Sequence, residues 1–157
     1  MMRRTDREVT DMSEISGILD LCKTCHVAMQ DTGELYLVPL SYGYELKEGR
    51  LTLYFHSAKE GRKLTIWQKN PDVCFEMCSE GEPVYAEIPC NSGYYYSSVI
   101  GYGKVEFIEE TDQKCQALSI MFAHQTGKQI AFTEEQAATV CVYKIVSERF
   151  TAKRKSA

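Results

Sequence analysis

Between Tyr95 and Ile108 the chain reads YYSSVIGYGKVEFI, a run of β-branched and aromatic residues that is long for one flat strand. Gly101 and Gly103 inside it mark a bulge or a bend. Long antiparallel strands bent at glycine are what closes a small barrel. Other segments fit that frame. Cys25–Gln30 reads as a strand ended by the turn Asp31-Thr32-Gly33. Leu35–Tyr44 reads as the next, with Pro39 marking an edge or a bulge because proline donates no ladder hydrogen bond. Lys47-Glu48-Gly49 turns the chain into Leu51–Phe55, which predicts a three-strand meander. Val73–Cys78 alternates as a strand, Glu80–Pro83 reads as a loop, Val84–Ile88 as a further strand, and Ala138–Val146 as the closing one.

Helices decorate this β framework. Asp11-Met12-Ser13-Glu14 has capping-box form, with Glu14 expected to return to the backbone of Asp11. Ile15, Ile18, Leu19 and Cys22 then define one apolar face of a helix over about Ser13–Lys23. Gly61–Gln68 is a short amphipathic helix stopped by Asn70-Pro71. Thr111 is the expected cap of another helix, with Gly127 its stop. The sum is a mainly β fold: a six-stranded antiparallel barrel with two to three flanking helices, formed as one domain over residues 1–157.

Composition limits the function. A net charge of −4 argues against a nucleic-acid binder, and the Lys153-Arg154-Lys155 run reads as a solvated end. No apolar run reaches the ~20 residues of a membrane helix. The basic, then mixed, start MMRRTDREVTDMSE has no apolar signal core, so the expectation is a cytoplasmic protein with no membrane partner. The seven cysteines are then expected to be reduced and packed. Cys22-Lys23-Thr24-Cys25-His26 matches the haem-attachment spacing CxxCH, but Cys22 lies on the helix's apolar face and the pair closes a helix, where the dipole does not activate a thiol.

The stretch that carries chemistry is Leu51–Pro71, LTLYFHSAKEGRKLTIWQKNP. It predicts a strand, a polar turn and a helix start holding Ser57, Lys59, Gly61, Arg62 and Lys63. Positive charge at a helix N-terminus opposes the macrodipole, and a bound anion resolves the conflict. A phosphate fits: amides from the helix start, the Ser57 hydroxyl, and the Arg62 and Lys63 cations. His56, just before the turn, is the candidate catalytic residue, able to polarise or protonate a substrate oxygen. Tyr94-Tyr95-Tyr96 reads equally as strand packing or as the wall of a flat ligand. No metal-ligand motif, Walker loop or nucleophile elbow is present.

Four blocks together resemble the flavin-binding split-barrel proteins related to pyridoxamine phosphate oxidase, and within them the nitroimidazole-resistance (Nim-like) group. They are MRRTDREVTD, VPLSYGY over Val38–Tyr44, LYFHSAKEGRK over Leu53–Lys63 with Asn70–Phe75 behind it, and YSSVIGYGKVEF over Tyr96–Phe107. The resemblance implies a split β-barrel and a homodimer with FMN at the subunit interface. It implies that the FMN phosphate lies by Ser57, Arg62 and Lys63, and the ring against Val38, Pro39, Leu40 and Ser41 and the strand end Tyr54, Phe55 and His56. Ser98 and Val99 would come from the other subunit. The implied activity is an FMN-dependent oxidoreductase, with NAD(P)H as donor and a small acceptor that includes nitroaromatics. Asn91–Ser97 departs from the group, with tyrosines and serine where tryptophan and arginine are usual, so the substrate side differs. Ala152 stands where glycine is common. The same architecture serves haem-binding or haem-degrading proteins, with His26, His56 and His124 as the available imidazoles, and non-catalytic flavin binders.

Overall fold

The computed structural model describes residues 2–156. A two-residue strand β1 (Glu8–Val9) leads to helix α1 (Met12–Leu21). Strands β2 (Thr24–Asp31), β3 (Glu34–Ser41), β4 (Gly43–Lys47) and β5 (Arg50–Ser57) follow, then α2 (Arg62–Lys69), β6 (Asp72–Val84) and β7 (Gly93–Phe107). Helices α3 (Thr111–Thr126) and α4 (Glu134–Ala138) precede the last strand, β8 (Cys141–Lys155).

The strands run β3-β2-β6-β7-β8-β5-β4 in one antiparallel sheet, with β1 added beside β8. The two ends of this path, β3 and β4, are joined by a single residue, Tyr42. Two consecutive trans peptides reach at most about 7.6 Å between Cα atoms. The edges of the sheet must therefore meet, and the sheet is a barrel. No ladder joins β3 to β4, so the barrel is split along that seam. Tyr42 is wholly buried and its hydroxyl donates to Leu19 O at 2.7 Å, fixing the corner onto α1. Next to it, a Cβ on Gly43 would fall 2.6 Å from Met121 Cα, so only glycine lets β4 lie against the α3 backbone. The core inside the barrel holds Val27, Leu51, Leu53, Phe55, Phe75, Met77, Val99, Tyr143 and Ile145, closed at one end by Ile15, Ile18 and Leu19 of α1.

The sheet is larger than the six strands expected, and the differences have identifiable causes. Leu35–Tyr44 is two strands, because Tyr42 turns the corner of the barrel. The meander is accordingly two separate hairpins, β2–β3 and β4–β5, on opposite edges of the sheet path. Pro39 does lie on an edge strand. β6 runs through Glu80–Pro83 with a register slip between Glu80 and Pro83, and Val84 ends it; Tyr85–Ile88 is not a strand. The β7–β8 register slips between Tyr102 and Lys104, at Gly103, where the sequence places a bend. β8 starts three residues later than expected and extends to Lys155, so Lys153-Arg154-Lys155 is paired strand rather than a solvated end.

Caps also shifted. Asp11 Oδ1 accepts from Glu14 N at 3.0 Å, but the Glu14 carboxylate accepts from Arg154 Nη1 (3.3 Å) rather than from the cap backbone. Glu110, not Thr111, caps α3, accepting from Asp112 N and Gln113 N. A complete capping box sits instead at Thr133 and Gln136 of α4, a helix unread in the sequence. Gly127 ends α3 in the left-handed region, φ 75°.

Candidate functional site

β5 ends at the seam. Along it, Leu51, Leu53 and Phe55 point into the core while Tyr54 and His56 face outward. Gly43 pairs with Tyr54, so Ser41, two residues earlier, reaches the same rim as His56. Val38–Ser41 and Tyr54–His56 are thus linked through the Tyr42 corner. On β3, Val38 and Leu40 pack against the core, and Pro39 and Ser41 are exposed. Phe55 and Val99 are fully buried, so each can offer a ligand only backbone.

Past Ser57 the chain turns into α2. Its cap is Gly61 at φ 156°, ψ 160°, a region open essentially to glycine alone. Gly61 provides no side-chain cap, the first turn has no acid, and a Cβ there would meet nothing within 4 Å. The helix start is therefore uncapped, faces open space and carries Arg62 and Lys63, which is the donor set an anion requires. Ser57 is paired with Cys141 of β8. Burial, with the nearby Glu109 carboxylate, pushes the Cys141 thiol pKa up.

Two buried polar atoms lie beneath this rim without a partner among the described residues: Trp67 Nε1 of α2 and the Tyr143 hydroxyl of β8. Their rings are 4.9 Å apart. Burial pushes the Tyr143 pKa to about 12; Ser57 lies close enough to influence that hydroxyl but falls short of hydrogen-bond geometry, its own Oγ donating to Ala58 O at 2.9 Å.

Arg62 behaves differently from Lys63. Its Nη2 donates to Glu34 Oε2 (2.7 Å) and Asp31 Oδ2 (3.3 Å), and its guanidinium lies 4.2 Å from the Tyr36 ring centroid. The sequence reading missed these partners. Asp31 was legible only as part of a turn signal, and nothing local links it to Arg62.

Of the three histidines, His56 makes no hydrogen bond to another described residue. Its surface is open, yet the surrounding protein desolvates the ring and lowers its pKa, which favours neutral imidazole at pH 7. His124 Nε2 lies 2.8 Å from Cys22 O, donating in that contact, and its ring packs on Tyr42 at 4.6 Å. His26 Nδ1 lies 3.1 Å from Glu76 Oε2 on the outer barrel face. In the CxxCH segment both thiols are buried, and burial pushes Cys22 to about 11 and Cys25 higher still, the opposite of activation. Among the described residues no group of three or more His, Cys, Asp or Glu could hold a metal ion, and no helix is long and apolar enough to cross a membrane.

Ser98 and Val99 are not with the rest. Ser98 pairs with Lys153 and His56 with Val142, eleven residues apart along β8 and so roughly 36 Å along the strand. Ser98 lines a separate groove of about 350 Å³ with Ile100, Tyr102, Thr151 and Lys153. Tyr94, Tyr95 and Tyr96 line another cleft with Glu80 and Gly81 on the extended β6–β7 hairpin.

A split antiparallel barrel with an uncapped, cation-bearing helix start at its seam defines a split-barrel protein with a candidate anion site. The chain belongs to the pyridoxamine 5'-phosphate oxidase family, whose profile matches residues 11–154. It is similar to a structure described as a candidate 5-nitroimidazole antibiotic resistance protein from Bacteroides thetaiotaomicron, with 32% identity over 94% of this chain and 86% of that one, at a TM-score of 0.81. The fold is shared with an FAD- and haem-binding protein from Mycobacterium smegmatis (17% identity, 96% and 74% coverage, TM-score 0.80). It is shared too with an FAD-binding protein from Mesorhizobium loti (21% identity, 96% and 98% coverage, TM-score 0.67). No curated protein matches the sequence.

Proposed function

We propose that this protein binds FMN at the seam and works as an FMN-dependent oxidoreductase. The observation that carries the reading is the start of α2: an uncapped glycine turn with no acid and two cations, next to Ser57 and His56. The first-turn amides with Ser57, Arg62 and Lys63 would hold the phosphate, and Val38–Ser41 with Tyr54–His56 would hold the ring. When bound, the flavin supplies hydride and electron transfer from a reduced nicotinamide to a small acceptor, nitroaromatics among them. His56, neutral at pH 7 and without a hydrogen-bond partner among the described residues, orients and polarises that acceptor through its ring N–H.

The working unit of this proposal is a homodimer. The outward face of β3, β2, β6 and β7 carries Leu35 (84% exposed), Leu37, Ile100 and Tyr102, an apolar surface suited to a second copy. A partner would also bring Ser98 toward the seam, which one chain does not do.

Purified protein tests the reading directly. A yellow preparation with a flavin spectrum, reduced anaerobically by NADH or NADPH, supports it. A Soret band instead would replace flavin with haem, and flavin that no nicotinamide reduces would mean a binding protein rather than an enzyme. His56→Ala should retain flavin and slow turnover at least tenfold; unchanged turnover removes His56 from the mechanism.

A further inference from the structure

We infer that Tyr143 is a positioning residue for the candidate phosphate site: its buried hydroxyl donates to Ser57 Oγ once Ser57 turns its own proton to an anionic oxygen. This rests on the flavin reading above, and it adds a core residue of β8 to a site built from the α2 turn. Strand pairing places the two hydroxyls. Phe55 stands directly opposite Tyr143, and Ser57 opposite Cys141. Side chains two apart on a strand share a face, so Ser57 lies on the Phe55 side of β5, the side that packs into the core. Ser57 and Tyr143 are therefore diagonal neighbours across the β5–β8 ladder, a separation that an aromatic side chain spans.

The two hydroxyls are prepared differently. The Tyr143 ring is wedged among Phe55 (centroids 5.9 Å apart), Trp67 (4.9 Å) and Phe107 (6.2 Å), and the residue is wholly buried, so its hydroxyl cannot turn away to water. Burial raises its pKa to about 12, which keeps the proton on at pH 7, and Ser57 is near enough to oppose that rise. The hydroxyl is thus a donor without an acceptor among the described residues. The Trp67 indole N–H, orphaned beside it, only donates and cannot relieve it, whereas Ser57 Oγ can. Ser57, half-buried at the strand end, has instead spent its proton on the carbonyl of the next residue, Ala58 O at 2.9 Å. That bond is local and replaceable. An anion at the uncapped start of α2 would draw the Ser57 proton outward, and the rotated Oγ would offer a lone pair to Tyr143. Hydrogen bonds in such a chain polarise one another, so each strengthens the next.

The distinguishing experiment measures binding of FMN and of riboflavin, which lacks the phosphate, to the full-length protein by flavin fluorescence. Ser57→Ala should weaken FMN about tenfold and leave riboflavin unchanged. Tyr143→Phe, which removes one oxygen and keeps the ring, should weaken FMN about three- to fivefold, again without touching riboflavin. The double variant should bind FMN no more weakly than Ser57→Ala alone, because Tyr143 acts only through Ser57. The urea midpoint of ligand-free Tyr143→Phe should equal or exceed that of the wild type, which separates its role from packing. FMN affinity unchanged in either single variant would overturn the inference. So would parallel losses of FMN and riboflavin in Tyr143→Phe, losses that multiply in the double variant, or a lowered urea midpoint, which would mean that the hydroxyl is already bonded without ligand. If the wild-type protein binds neither flavin, the flavin reading fails by itself. Inorganic phosphate then serves as the probe: it should raise the urea midpoint of the wild type more than that of Tyr143→Phe, and equal shifts, or none, would reject the role of Tyr143.

Discussion

Two buried tyrosines at different places in the barrel show how structure and site are divided in this molecule. Tyr42 turns the barrel corner, and its hydroxyl is spent on Leu19 O at 2.7 Å. Around it polar groups are bonded to one another: His124 meets Cys22 O, Gln125 donates to Lys23 O and Tyr42 O, and Lys23 donates to His124 O. Tyr143 is equally buried, yet its hydroxyl and the nearby Trp67 Nε1 have no partner among the described residues, and the helix start above them is uncapped. Buried polar groups are nearly always satisfied, so an unsatisfied set beneath a cationic rim marks where selection is for something other than stability.

The sharpest way to break this contrast is at the packed end. Gly43→Ala drives a methyl into the Met121 backbone and should cost about 2–3 kcal/mol in chemical denaturation; a cost near zero would mean that α3 is free to move away. The matched tyrosine pair is next. Tyr42→Phe should lose about 1–2 kcal/mol by stranding the Leu19 carbonyl, whereas Tyr143→Phe should be neutral or stabilising. Equal losses would show that Tyr143 has a partner in solution. Lys63→Glu puts an acid in the first turn of α2 and should raise stability by about 0.3–1 kcal/mol while abolishing FMN binding; stability and binding falling together would deny the trade. The smallest effect is with pH. His124 has its pKa lowered, chiefly by desolvation, so the folded state takes up a proton less readily than the unfolded chain. Stability should therefore be full above the usual histidine pKa of about 6.5 and decline as pH falls below it. Replacing His124 by Gln should flatten that slope in urea titrations taken at several pH values.

Much of this was readable in one dimension. The β-rich run with its glycine bend, the edge position signalled by Pro39, the Asp11 cap, the Gly127 stop and the helix broken at Asn70-Pro71 all follow from local stereochemistry, and all appear. The uncapped helix start with its glycine and cations is legible for the same reason, since these residues are neighbours in the chain. What went unread depends on contacts between distant segments. Ser147, buried and bonded to Tyr102 O, lies in a β8 that extends well past Val146 because β7 and β1 give it partners there. The Thr133–Gln136 capping box is local too, but it opens a helix of only five residues, too short to show a periodic apolar face.

Sequence by itself determined the strands, the bends and the chemistry of the turn, because backbone preference and helix-end electrostatics act over a few residues. Tertiary structure alone decided that Tyr42 joins the two edges of the sheet and so sets Val38–Ser41 beside His56. It also decided that Arg62 meets Asp31 and Glu34 of the β2–β3 hairpin. A helix turns its neighbours about 100° apart, and only the packed surroundings assign each direction a partner.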